Sequence, residues 1–202
     1  DVEALERSLG YRFIDPELCH QALTHRSARP HHNERLEFLG DAVLGMVITE
    51  YLFEAYPRAD EGQLTRARAS LVNRESLAAL ARAQQLGEHL VLGEGEQKSG
   101  GWRRDSILAN ALEALLGAVY LDAGYAACRD VVRGIYRARL QDFDLEASVK
   151  DAKTALQEYL QARQQALPRY ETVHVSGPSH AQIFTVRCEV DGLPQPVQAH
   201  GA

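Results

Sequence analysis

Three acidic residues are spaced so that they share one face of a helix. Glu34, Glu37 and Asp41 lie at positions i, i+3 and i+7. A helix turns about 100° per residue, so these side chains fall within roughly 60° of one another. Burial raises the pKa of carboxyl groups, and like charges at this spacing repel. The spacing therefore indicates that something cationic compensates these residues.

A second apolar stretch repeats the i, i+3 arrangement. Asn110 and Glu113 interrupt the mostly apolar residues 107–121. If the two helices pack together, these oxygen atoms would face the first three carboxylates. Four or five hard oxygen donors without His or Cys favour Mg²⁺ or Mn²⁺ over zinc. The spacing alone gives a hypothesis of a metal site.

A simpler interpretation is that these acids are solvated helix residues paired with Arg35, Arg66 or Arg68. Against it stands the apolar context of residues 36–52, which are apolar on nearly every face. Such a stretch predicts a central helix that is buried all round. A solvated charged face is not expected inside it.

The elements that position these residues are predicted from helix punctuation. Start and stop signals occur throughout residues 1–140, at Asp15-Pro16, Asn33, Asp60, Asn73, Gly87 and Gly124. No strand pattern is convincing there, and the polar, glycine-rich residues 93–101 predict a mobile loop. The first part of the chain is therefore predicted to be all-helical.

The sequence pattern changes after Leu140. We predict a first domain over residues 1–143, a linker over 144–150 and a second domain over 151–202. Residues 151–166 have a helical pattern, 169–175 and 183–190 alternate as strands, and Asp191-Gly192 is a hairpin signal. A helix followed by a small antiparallel sheet predicts an α+β domain. We expect this domain to be incomplete, because a closing helix would follow residue 202.

Composition limits the class of protein. A chain of 202 residues with 45% hydrophobic content can bury one or two cores, and its three cysteines suggest neither a disulfide framework nor a zinc site. Without a long uncharged apolar run or a leader pattern, it is predicted to be cytoplasmic and to have no membrane partner. The net charge of -6 arises in residues 1–146, which hold 17 Lys and Arg against 23 Asp and Glu. Acid beside a phosphate substrate calls for metal cations.

Longer motifs resemble a known family. Residues 33–41, NERLEFLGD, resemble the nine-residue signature of ribonuclease III, and residues 23–27, LTHRS, are also typical of that family. Residues 60–62 and 108–115 are similar to its other two acidic motifs, and the C-terminal part resembles its double-stranded-RNA-binding domain. The resemblance covers nearly the whole chain. It implies a mainly α architecture, an all-helical ribonuclease III domain followed by a small α+β domain.

The resemblance also implies roles for individual residues. The metal shell would hold Mg²⁺, with Mn²⁺ as a substitute, and its members would be Glu37, Asp41, Asn110 and Glu113. Asp41 and Glu113 would be the most critical for catalysis, while Glu34 and Glu61 match positions used for further metal or RNA contacts. The family more often has aspartate where this chain has Asn110. A neutral amide adds no charge, so we expect metal affinity to be affected and the overall chemistry to be kept.

The implied activity is endonucleolytic hydrolysis of double-stranded RNA by a homodimer. Products would carry 5′-phosphate and 3′-hydroxyl ends with two-nucleotide 3′ overhangs, and the substrates would be ribosomal-RNA precursors and structured messenger RNAs. Phe38, which alone would be interpreted as core packing, would by resemblance insert into a pocket of the partner subunit.

The second domain would bind RNA through two segments. One polar helix face would contact the minor groove, through Thr154, Gln157, Glu158 and Gln161. The loop between the first two strands would enter the next minor groove, through Pro178, Ser179 and His180. Such contacts read the shape and the 2′-hydroxyl groups of RNA. On spacing alone, the helix face would be interpreted as solvated and His180 as a surface histidine.

Two other functions stay open. The first is a double-stranded-RNA-binding protein whose cleavage is attenuated by Asn110. The second is a di-metal oxidase bundle, although the Glu-x-x-His pairs of such bundles are missing. Magnesium-dependent cleavage of a long RNA duplex would separate all three.

Overall fold

The structure, a computed structural model, describes residues 2–145, 152–177, 182–193 and 195–201, without the side chains of residues 152–155, 158 and 201. The chain divides into two compact units, Asp1–Val149 and Lys150–Ala202. The first unit is helical, and the second combines a helix with a sheet.

Helices build the first unit. They are α1 (Val2–Leu9), α2 (Pro16–Leu23), α3 (Glu34–Ala55), α4 (Glu61–Val72), α5 (Arg74–Ala83), α6 (Glu94–Lys98) and α7 (Asp105–Gln141), with 3₁₀ turns at Leu86–His89 and Gly101–Arg103. Across residues 2–145, strand-like pairing is limited to one parallel bridge between Thr24 and Val91. The all-helical prediction for this part is confirmed.

Three of these helices begin at the positions that the sequence predicts, and each is capped by a side chain. Asp15, Asp60 and Asn73 each accept a hydrogen bond from a backbone N–H in the first turn of α2, α4 and α5. Asn33 precedes α3 but does not cap it with its side chain. Its amide instead donates to the carbonyl oxygen of Ala22 at 3.2 Å, which ties the end of α2 to the start of α3.

The glycine signals are less accurate than the caps. Gly124, predicted to be a stop, has φ 78° and ψ -175° and kinks α7, which continues to Gln141. Gly87 lies inside the 3₁₀ turn that follows α5. The predicted mobile loop over residues 93–101 is wrong, because it contains the short helix α6. Because glycine can adopt many backbone conformations, its presence does not predict which conformation the surrounding contacts stabilise.

The central feature of the first unit is the crossing of α3 and α7. A Cβ atom added to Gly40 would lie 1.7 Å from the carbonyl oxygen of Glu113, and one added to Gly117 would lie 2.2 Å from that of Leu36. No side chain fits at either distance, so the two backbones are in direct contact. The contact therefore fixes the neighbouring residues of α3 relative to those of α7.

Helix α3 is buried on one side only. Leu44, Val47 and Ile48 are fully buried in the core. Phe38 and Phe53 are 82% and 71% exposed. The prediction of a helix buried all round is therefore wrong for a single chain, because part of its apolar surface has no cover within the described residues.

Helix α7 has the length and composition of a membrane span, but 61% of its most apolar window is buried in the first unit. The core helix of a globular domain passes the same test, so the pattern is weak evidence for a span.

The second unit consists of α8 (Ala152–Ala162), β1 (Arg169–Ser176), β2 (Ile183–Glu189) and β3 (Val197–Gly201). The strands form an antiparallel sheet in the order β1-β2-β3. The first two strands and the α+β class are confirmed. The sequence pattern did not predict β3, and α8 ends before the predicted residue 166.

Candidate active site

The crossing of α3 and α7 brings four of the predicted site residues together. Glu37 and Asp41 on α3 are close enough to act electrostatically on Glu113 of α7. The side-chain amide of Asn110 hydrogen-bonds the Glu37 carboxylate. Asp41 is exposed at the surface, while the other three side chains are half-buried.

Burial and mutual repulsion make this an unfavourable place for negative charge. Burial raises the pKa of the Glu113 carboxyl to about 7, and the charges of Asp41 and Glu37 add to the effect. Burial also raises the pKa of Glu37, with a further contribution from Glu34, and the hydrogen bond from Asn110 opposes the rise. The cluster therefore favours any cation that can share its oxygen atoms.

Basic side chains do not neutralise the centre of this cluster. Among the ion pairs of the described residues, none joins Glu37, Asp41 or Glu113 to Lys or Arg. The guanidinium of Arg68 donates to the Thr49 hydroxyl at 3.0 Å instead. The interpretation as an ion-paired helix face is therefore not supported for Glu37, Asp41 and Glu113, whereas Glu34 does pair with an arginine.

The donor chemistry fits a hard divalent cation. Carboxylate and amide oxygens are the ligands that Mg²⁺ accepts, usually with several waters. Across the described part of the chain, however, no three His, Cys, Asp or Glu side chains converge closely enough to hold a metal ion unaided. Like charges repel when no cation is bound between them, and the side-chain amide of Asn110 donates a hydrogen bond to Glu37.

Glu34 lies at the edge of the cluster and has its own partners. Its carboxylate is 3.1 Å from a terminal nitrogen of Arg26 and 3.9 Å from Nδ1 of His32. It also acts on the pKa of Glu37, so it lies beside the site.

Glu61 is not brought to the cluster within one chain. It begins α4, where the Thr65 hydroxyl donates to it at 2.9 Å, and it lines a surface cavity with Thr49 and Phe53. Phe53 is 16 residues beyond Glu37 on α3, which corresponds to about 24 Å at 1.5 Å per residue. Any shared role for Glu61 and Glu37 therefore needs a second chain.

Phe38 projects from α3 next to a surface cavity of about 750 Å³. The lining also includes Pro30, Leu39 and Leu121. The sequence alone favoured core packing for Phe38, and that interpretation is wrong for the single chain.

The predicted RNA-contacting residues of the second unit are only partly described. Gln157 is half-buried and Gln161 is exposed, both on α8. Thr154 and Glu158 lie on the same helix, but their side chains are outside the described part. The predicted contacts in residues 178–180 are outside the described residues.

Sequence reasoning did not identify the glycine contact that positions the site. Gly40 and Gly117 are 77 positions apart, and nothing in the sequence pairs them. The available signal was a glycine inside a helical pattern, which costs about 1 kcal/mol relative to alanine and usually has a packing reason.

Comparisons with known proteins agree with this architecture. Residues 15–140 match the family described as Ribonuclease-III-like, and residues 152–194 match the double-stranded RNA binding motif. The chain is 55% identical to a ribonuclease 3 of Hahella chejuensis, over 100% of this chain and 89% of the relative. It is also 55% identical to a ribonuclease 3 of Nitrosococcus oceani, over 94% of this chain and 82% of the relative.

A solved structure shows the same relationship for the first unit. The nuclease domain of ribonuclease III from Campylobacter jejuni, described with a region involved in dimer formation, is 44% identical and superposes with a TM-score of 0.66. The match covers 68% of this chain and 97% of that domain. The chain therefore belongs to the ribonuclease III family, with a nuclease domain for double-stranded RNA followed by a double-stranded-RNA-binding domain.

Proposed function

We propose that the chain is a Mg²⁺-dependent endonuclease that leaves 5′-phosphate and 3′-hydroxyl ends with two-nucleotide 3′ overhangs. The observation that carries this proposal is the uncompensated cluster at the α3–α7 crossing, where burial and its neighbours raise the pKa of Glu113 to about 7. Its oxygen donors suit Mg²⁺ or Mn²⁺.

Each residue of the cluster has a distinct part in this proposal. Glu37, Asp41 and Glu113 supply charged oxygen ligands, and Asn110 supplies an amide oxygen once its side chain turns away from Glu37. When bound there, Mg²⁺ supplies a water of lowered pKa and neutralises charge on the leaving oxygen. The half-buried setting strengthens these interactions by keeping bulk water away.

We further propose that the active form is a homodimer paired through α3. Phe38, Met46 and Phe53 are all exposed and fall within about 80° of one another around the helix. Positions 38 and 53 are equidistant from the midpoint at residues 45 and 46. A Cβ added to Gly45 would meet nothing within 4 Å, so a second helix has room to approach.

A two-fold axis through this midpoint and perpendicular to α3 gives an antiparallel pair, in which the same surface of each subunit meets itself. Phe38 would then lie beside Phe53 of the partner subunit. The same arrangement would move Glu61 of the partner subunit toward the end of α3 that carries Glu34 and Glu37. Two sites facing opposite strands of one duplex would account for a staggered cut.

Mapping both product ends tests the chemistry. A long RNA duplex is incubated with the protein and Mg²⁺, and the products are sequenced without enzymatic repair. We expect 5′-phosphate ends, 3′-hydroxyl ends and a constant two-nucleotide 3′ overhang. Cyclic-phosphate or 3′-phosphate ends would contradict attack by water with the 3′-oxygen as the leaving group.

The second unit would position the substrate through its shape. In this proposal, Gln157 and Gln161 on α8 would contact 2′-hydroxyl groups in the shallow minor groove. An RNA duplex should therefore bind at least about tenfold more tightly than a DNA duplex of the same length. Equal affinities would rule out this mode. Ribosomal-RNA precursors and structured messenger RNAs in the cytoplasm are the proposed natural substrates.

One observation favours a second candidate, a double-stranded-RNA-binding protein with attenuated cleavage. Asn110 donates a hydrogen bond to Glu37 and adds no charge to the cluster. If this arrangement persists, the metal shell loses one ligand. Duplex binding with little cleavage at saturating Mg²⁺ would support this alternative over the nuclease.

A further inference from the structure

The loop between α2 and α3 is fixed against the segment that precedes α6. The Ser27 hydroxyl oxygen accepts a hydrogen bond from the backbone N–H of Gly93 at 2.9 Å and lies 2.8 Å from Nδ1 of His25. The backbone N–H of His25 donates to the carbonyl oxygen of Val91 at 3.0 Å. A Cβ on Gly93 would come within 2.3 Å of the Ser27 carbonyl oxygen, so the two segments are in close contact.

Arg26 lies between these two anchored residues, and its side chain extends to the acidic cluster. Its guanidinium donates to Glu34 at 3.1 Å, and its charge reaches the Glu37 carboxylate. Among the described residues, Glu34 is its hydrogen-bonded partner, and the Arg26 side chain stays 69% exposed. Most of its five N–H donors therefore face solvent.

A contribution to folding stability does not explain why an arginine lies at position 26. An ion pair between side chains that are 69% and 47% exposed contributes little to folding. A guanidinium with free donors is, by contrast, well suited to bind two oxygens of a phosphate.

Arg26 is also close to the place where the scissile phosphate would lie. Glu34 is three residues, or about 4.5 Å along the helix, from Glu37. If the scissile phosphate lies at Glu37 and Asp41, a phosphate beside it lies within reach of Arg26.

We propose that Arg26 is a substrate-binding residue, whose guanidinium leaves Glu34 to bind a phosphate next to the scissile one. This inference rests on the proposed function, because it uses the same cluster as the site of cleavage. The neighbouring contacts of His25, Ser27 and Gly93 hold the Arg26 backbone in place for this exchange.

The salt dependence of RNA binding tests the proposal. Affinity for an RNA duplex is measured with Mg²⁺ in a Glu113→Gln background, which should bind without cleaving, between about 50 and 200 mM salt. Arg26→Gln should reduce the slope of log affinity against log salt by roughly one for each Arg26 that contacts the duplex. Arg26→Lys, which keeps the charge, should retain the slope and bind less tightly.

Arg7→Gln is the matched control, since Arg7 is 68% exposed and pairs with Glu3 on α1. It should leave the slope unchanged. The double variant Arg26→Gln/Glu34→Gln should keep the reduced slope. An unchanged slope in Arg26→Gln, or a slope restored by Glu34→Gln, would overturn the proposal, because Arg26 would then only neutralise Glu34.

Failure of the proposed function would look different. If the wild-type chain bound RNA without cleaving it while Arg26→Gln still reduced the slope, the nuclease proposal would fail and the phosphate contact would stand. If the wild type cleaved RNA efficiently and Arg26→Gln left the slope unchanged, only the Arg26 proposal would fail.

Discussion

The two faces of α3 differ in what covers them. One face meets α7 through Gly40 and Gly117, with backbone atoms in direct contact. The other leaves Phe38 and Phe53 largely exposed. The same helix thus has one face whose partner is in the chain and one whose proposed partner is a second copy. The first face should determine whether the site forms, and the second whether two sites act together.

The largest expected effect on folding stability comes from filling the glycine contact. Gly40→Ala would place a methyl group 1.7 Å from the Glu113 carbonyl oxygen, so α3 and α7 must separate. Overpacking of this kind costs about 1–3 kcal/mol or more, and both folding and cleavage should suffer. Gly134→Ala on α7 meets nothing within 4 Å and should be neutral or slightly stabilising. Thermal unfolding of both variants checks this, and equal melting temperatures would contradict the contact.

A charge on the opposite face should separate the subunits and leave the fold intact. Phe38→Glu would bury a carboxylate in the proposed interface, which is costly without a partner charge. The variant should sediment as a monomer at micromolar concentration and still unfold cooperatively, at a melting temperature lowered by the loss of the dimer. Ile14→Glu is the control, because Ile14 is 77% exposed and lies off α3. A Phe38→Glu dimer as tight as the wild type would show that α3 does not form the interface.

The buried face should also make stability depend on pH. Because the pKa of Glu113 is raised to about 7, the folded state binds more protons than the unfolded state between the ordinary value of 4.5 and about 7. Stability of the metal-free protein should therefore fall as pH rises through this window. Glu113→Gln should flatten the fall and raise the melting temperature by a few degrees above neutral pH. If stability depended on pH in the same way in the two proteins, the pKa of Glu113 would not be raised in the folded state.

The smallest effect is expected at Asn110. Asn110→Asp removes the hydrogen bond to Glu37 and adds a fourth carboxylate. The metal-free protein should become less stable, while the Mg²⁺ concentration for half-maximal cleavage should fall by several-fold, because an anionic ligand binds a hard dication more tightly. An unchanged Mg²⁺ dependence would place residue 110 outside the metal shell.

Much of the local structure was predictable because its causes are local. Asp60 and Asn73 cap their helices through residues three positions away, and the i, i+4 spacing put Glu37 and Asp41 on one face. The sequence could also suggest that Glu113 faces them. It could not give the reason, because the Gly40 contact depends on how two distant helices cross.

Other features were missed for the same physical reason. The segment over 93–101 has a loop-like composition, yet it contains α6, and Gly93 just before this helix donates a hydrogen bond to the distant Ser27. Strand β3 (Val197–Gly201) is only five residues long and offers Val197 and Ala199 as its apolar positions, and it forms by pairing with β2. Exposure of Phe38 was not evident from an apolar sequence, since burial depends on the covering partner.

Magnesium-dependent cleavage by the wild type and by Glu113→Gln tests the central claim most directly. Glu113→Gln keeps the shape of the side chain and removes one of three charged ligands at the crossing. With a long RNA duplex, the wild type should cleave only when Mg²⁺ is added, and the variant should lose more than about 100-fold of the rate while binding RNA normally. Robust Mg²⁺-dependent cleavage by Glu113→Gln would contradict the assignment of the active site to the α3–α7 crossing.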